Sequence, residues 1–280
     1  MKTHKPVLNL EIDKQQLRDL KILITQNKYD DLRLYFKKMG ISPDVYIECE
    51  SARQLFIYAL QSKKMCRILL DTGFSPNAKT DEEIPSVLWL AIHHRSINLA
   101  TLLVERGANS SCFLKNNIDA TFCALRHLDI TKGEKHRRFF SYLVSVNGQD
   151  WATMKNPDGD TALFFLMRRI TGVGGIFAIN KEAEHLIKNN MRFLISKGAS
   201  PFVTDTMGNN FMDLIEEKRR NILSGSYLIE EMRENELNNV EKITKFVHEL
   251  HTQYISLEKE NLKSSMGVVG VKNNILEKRI

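Results

Sequence analysis

No stretch of this 280-residue chain approaches the roughly 18 uninterrupted apolar residues that a membrane-crossing helix requires. With 42% hydrophobic and 26% charged residues, the composition is that of an ordinary soluble globular protein. Met1 to Leu10 contains Lys and His but no apolar core before Glu11, so a secretory leader is not expected and a cytoplasmic setting is. Cysteine is scarce. Cys49, Cys66, Cys112 and Cys123 form no CxxC pair, and no histidine stands at zinc-finger spacing, which argues for buried free thiols over a disulfide framework or zinc site. The GxSxG elbow, the glycine-rich nucleotide fingerprint and the HExxH metal motif are all missing. Thr171 to Gly175 is rich in glycine but lacks the Gly-Lys-Ser/Thr ending of a phosphate loop, so it reads as a turn. His93 and His94 point about 100° apart on a helix and cannot face one metal together. Cys123 and His127 stand at i,i+4, a spacing that chance supplies often, and a packed cysteine is the simpler reading. No metal, cofactor or catalytic residue is therefore expected, and the chain does not read as an enzyme. A single-signed charge field is also lacking: the net charge is +6, with Lys and Arg interspersed among Asp and Glu. That pattern fits a solvated surface better than a nucleic-acid or membrane site.

What is present is a repeat. Gly40-Ile41-Ser42-Pro43-Asp44, Gly73-Phe74-Ser75-Pro76-Asn77, Gly107-Ala108-Asn109-Ser110-Ser111, Gly148-Gln149-Asp150 and Gly198-Ala199-Ser200-Pro201-Phe202 each follow an apolar helical run. The physical expectation is a helix closed by a left-handed glycine, where the missing Cβ removes a clash and the last carbonyls find donors. Gly40 to Gly73 is 33 residues and Gly73 to Gly107 is 34. A second landmark lies 15 residues after the glycine at Leu55, Leu88, Phe122 and Leu163, with Met212 displaced by one.

These landmarks resemble the ankyrin repeat, whose period is about 33 residues. The best match is Asp158-Gly159-Asp160-Thr161-Ala162-Leu163-Phe164, which is similar to the family's DGxTPLH text. Ser86 to Ala91 and Gly208 to Met212 are degenerate copies, and Leu17 to Asp44 fits an end repeat with only one neighbour to bury against. The resemblance implies an all-α fold: an ankyrin-repeat solenoid of about five to six degenerate helix-turn-helix repeats over residues 1–225. The interval from landmark to next glycine is 18 and 19 residues in the early repeats, but 26 from Phe122 to Gly148 and 35 from Leu163 to Gly198. Two insertions, near 130–138 and 171–185, are thus expected on one edge, with Lys132, Lys135, Arg137, Arg138, Val173, Ile176 and Phe177 as a binding patch.

Residues 226–262 read as a C-terminal helical cap. Val240, Ile243, Val247, Leu250, Tyr254 and Leu257 form its apolar stripe. Met266 to Val271 is expected to break that helix and leave 263–280 as a flexible tail. The family resemblance implies a non-catalytic, monomeric scaffold for another protein. Contact residues are expected at the hairpin tips: Lys79, Asp81, Glu82, Phe113, Lys115, Trp151, Met154, Lys155, Phe202, Thr204 and Met207. In style the text is similar to the ankyrin effectors that intracellular bacteria of the Legionella type secrete, which implies a host-protein partner and delivery to a host cytosol. An enzyme that uses the repeats as a substrate arm is the alternative, and it would need buried ionisable groups near His136, Arg137 and Glu184.

Overall fold

The structure, a computed structural model, describes residues 7–41, 46–48, 51–77, 86–110, 119–146, 148, 150–156, 158–172, 181–225 and 230–277. It is all-helical in class, with twelve helices among the described residues and two strands of three residues each. The chain forms two compact units, Met1–Leu128 with Gly133–Asn147, and Asp129–Lys132 with Gly148–Ile280.

The first unit holds β1 (Val7–Asn9), α1 (Lys14–Thr25), α2 (Tyr29–Lys38), β2 (Tyr46–Glu48), α3 (Ala52–Ala59), α4 (Lys63–Thr72), α5 (Val87–His93), α6 (Ile97–Glu105), α7 (Ala120–His127) and α8 (Glu134–Val146). Consecutive helices pair as α1/α2, α3/α4, α5/α6 and α7/α8. The first helices of the pairs pack on one another in order, and so do the second helices. Several helices start where a short polar side chain accepts an otherwise orphaned backbone N–H: Asp13 at α1, Ser62 at α4, Ser86 at α5 and Asp119 at α7. Glycine supplies the opposite end. Gly40, Gly73 and Gly107 have φ of 71°, 108° and 88°, the left-handed conformation expected of them. Between the helices lie Leu20, Phe36, Leu55, Leu69, Leu88, Leu103, Phe122 and Leu143, all buried. β1 and β2 pair in parallel, and Ile47 of β2 also exchanges backbone hydrogen bonds with Gly73 and Ser75.

In the second unit, α9 (Ala162–Thr171) pairs with α10 (Lys181–Ser196), and α11 (Phe211–Ser224) with α12 (Glu230–Glu277). Thr161 and Asn210 cap α9 and α11. The landmark at Leu163 is buried, whereas Met212 is only half-buried, and its neighbour Phe211 takes the core place. Val240, Ile243, Val247 and Leu250 of α12 are buried, and α12 packs on α9, α10 and α11. The break expected at Met266 to Val271 is not found: the backbone stays helical to Glu277.

The extra residues of the two long intervals fall partly into helix. α8 starts at Glu134 and α10 runs for 16 residues, so part of the added length extends a helix instead of forming a loop. Glu134 in the first turn of α8 pairs with Arg138 one turn on, which favours helix there. The turn Asp129–Lys132 is fastened within the second unit, with Ile130 fully buried and its N–H donated to Oδ1 of the buried Asn190 at 3.0 Å.

Candidate functional site

Four first helices of the first unit place comparable side chains at one level. Counted from the N-cap residues Asp13, Ser51, Ser86 and Asp119, the seventh or eighth position is Lys21, Tyr58, His93 and His127. Helices that stack in register put equivalent positions side by side. The Lys21 ammonium lies 5.2 Å from the centre of the Tyr58 ring, a cation–π contact between α1 and α3. The His93 and His127 rings are 4.5 Å apart across α5 and α7. Trp89, one turn before His93, stacks on it at 4.8 Å with the planes 19° apart, and meets His127 edge-on at 6.0 Å. The Trp89 indole N–H has no acceptor among the described residues.

The electrostatics of this strip follow from its neighbours. Burial of part of the His93 ring lowers its pKa, and the positive potentials of His94, Arg126 and Arg95 lower it further. His93 is therefore a neutral ring at neutral pH, suited to stacking. The signal for this ladder lies in the sequence as an offset of seven or eight residues from each N-cap residue, but Asp and Ser are common throughout the chain, so Asp13, Ser51, Ser86 and Asp119 do not stand out in the sequence.

The hairpin-tip residues divide. Lys79, Asp81, Glu82, Phe113 and Lys115 lie outside the described residues, as do Val173, Ile176 and Phe177 of the insertion patch. Met154 is 2% exposed and its carbonyl accepts from Ala162, so it belongs to the core and is no surface anchor. Trp151 is half-buried, with its ring edge-on to Phe193 at 5.2 Å. Phe202 is 55% exposed although it stacks on His251 at 4.6 Å; Lys155, Thr204 and Met207 are exposed as well. Lys132, Lys135, Arg137 and Arg138 are exposed, the last three as residues of α8.

Ionisable groups that are buried serve as ties. Arg168 of α9 donates from Nε to Asp160 at 3.0 Å and from Nη2 to Asp205 at 2.6 Å. Asp205 also accepts the backbone N–H groups of Met207 and Asn209 and the Asn209 side-chain amide. Burial pushes the Asp205 carboxyl up, but these hydrogen bonds and the Arg168 charge outweigh it and hold it below the usual carboxylate range. For Asp160 burial prevails over Arg168, helped by the nearby Asp205 and Asp158, and its pKa is raised. The buried thiol of Cys66 is pushed up to about 12, and that of Cys123 still further, so neither is a thiolate at neutral pH. Glu184 is engaged by Lys188 at 2.7 Å, while Arg137 projects into solvent.

Among the described residues, no three His, Cys, Asp or Glu side chains are grouped to hold a metal ion, and no helix is long and apolar enough to cross a membrane. No protein-family model matches the sequence, and a search of curated proteins finds no match.

Proposed function

We propose that the paired helices are degenerate ankyrin repeats and that the chain is a non-catalytic scaffold which binds another protein. One observation carries this reading: the chain repeats a capped first helix, a second helix and a left-handed glycine, and stacks like on like. Such stacking makes an extended surface from equivalent positions, which is how repeat scaffolds recognise partners. The strip of Lys21, Tyr58, Trp89, His93 and His127 is the contact surface we assign, since aromatic side chains supply much binding energy for little lost freedom. The likeness to secreted ankyrin effectors makes a host-cell protein the partner to seek first.

Affinity capture from host-cell lysate tests the proposal when run beside a Trp89→Ala/His93→Ala variant. Proteins held by the native chain should be lost from the variant, while its circular dichroism stays native. Equal capture by both would remove the strip from the interface. Failure of the native chain to retain any partner would count against the scaffold itself.

A further inference from the structure

The second helices of the first unit carry a different surface. A groove of about 360 Å³ runs between α6 and α8, with Lys63 at the start of α4 closing one end. Its floor includes Val104 and Phe139, which are 6% and 4% exposed, and its wall includes Tyr142, 46% exposed. Residues 97 to 105 of α6 and 135 to 142 of α8 line it, two turns of each helix or about 12 Å.

Charge along this groove is not uniform. α4 and α6 run in the same direction, since their carboxyl ends are joined by Asp71 to Arg106 at 2.5 Å and by the Asn77 side chain to the Gly107 carbonyl at 2.9 Å. The first turns of α4, α6 and α8 all reach the groove, through Lys63, Ile97 and Lys135. Lys63 and Lys135 therefore collect at the amino-terminal ends, where backbone N–H groups add positive potential. Neither lysine has an ion-pair partner among the described residues. Arg138 stands one turn further and is already paired with Glu134. Glu105, also unpaired among the described residues, marks the opposite end. The order is cationic, then apolar and aromatic, then anionic.

We propose that this groove is a second docking surface, complementary to a peptide segment of another protein with carboxylates at one end, an aliphatic or aromatic side chain at its centre and a basic residue at the other end. Complementary charge sets the register and the apolar centre supplies the burial. The inference rests on the chain being a scaffold, but it uses the helices that the Trp89 strip does not.

The test is fluorescence anisotropy with a fluorescein-labelled 12-residue peptide carrying two Glu at one end, Leu and Phe at the centre and two Lys at the other. A second peptide has Lys in place of both Glu. The native chain should bind the first and not the second. The Lys63→Glu/Lys135→Glu variant should weaken binding at least about tenfold, and Tyr142→Ser should weaken it too. Trp89→Ala/His93→Ala should leave it unchanged, so loss of lysate partners in that variant and loss of peptide in the groove variants remain separate results. Absence of binding to the native chain, equal binding of both peptides, or indifference to the lysine reversals would each overturn the proposal. So would sedimentation showing a dimer that the lysine reversals dissolve, because the occupant would then be a second copy of this chain.

Discussion

The two units join neighbouring helix pairs by different means. In the first, the tie is made near the surface and largely by one neutral side chain: Asn77 donates to the Gly107 carbonyl at 2.9 Å and accepts the Asn109 N–H at 2.7 Å, with Asp71 and Arg106 alongside, both partly exposed. In the second, one guanidinium bridges two acids that are 7% and 6% exposed, Asp160 in one loop and Asp205 in the next. A neutral or exposed tie can be lost at modest cost, whereas a buried ionic tie leaves charges stranded when it is cut. The second unit is thus the more sensitive to single changes at its joints.

The largest test of that difference is Arg168→Met. It removes the cation that bridges two buried carboxylates and should cost about 3–5 kcal/mol in urea denaturation followed by circular dichroism. Arg106→Met should cost no more than about 1 kcal/mol, because Asp71 can return to water. Comparable losses for the two would erase the distinction.

Next come the turn glycines. Gly107 and Gly159 have φ of 88° and 86°, so alanine at either should cost about 1–2 kcal/mol from the left-handed backbone alone. A Cβ at Gly107 meets open space, but at Gly159 it would stand 2.8 Å from Cγ2 of Thr206. Gly159→Ala should be the worse of the two in thermal melts, and Thr206→Ser in the same chain should recover part of the excess. Recovery is the sharper readout, since it isolates the clash from the strain.

The smallest effect is the pH dependence contributed by the two acids at the joint of the second unit. Asp205, with a depressed folded pKa, contributes stability present above the unfolded value of about 3.9 and lost as pH falls through the lower folded value. Asp160, with a raised pKa, acts oppositely: its charge costs stability above the folded value, and that cost fades on acidification. Asp205→Asn should therefore be the more destabilising of the two at pH 7, and its penalty should shrink in acid. A larger penalty for Asp160→Asn at pH 7 would contradict the assignment.

Much of the fold was legible because it is written in local chemistry. Gly40, Gly73, Gly107, Gly148 and Gly198 all take positive φ, and Leu55, Leu88, Phe122 and Leu163 are all buried, since helix ends and stacking faces depend on a few residues each. The helix through Gly267 and Gly270 ran against propensity, which is a weak guide to a single segment. At the candidate site legibility was poorer. Met154 looked like a tip residue because it lies between two turn signals, yet the pairing of Asn156 with Asp160 folds that stretch back and draws the methionine inward. The charges between Lys132 and Arg138 were visible, but their incorporation into α8, and so the groove they border, depends on a helix start that has Gly133 before it and no Ser, Thr, Asp or Asn side chain at the cap to announce it.

The chain has only two tryptophans, and they fall one to a unit: Trp89 against His93 on α5, and Trp151 against Phe193. Intrinsic emission from a Trp151→Phe chain then reports on the first unit alone, and emission from Trp89→Phe on the second. Because His93 quenches a stacked indole differently when protonated, the first of these signals also carries a built-in optical titration of the ring it touches.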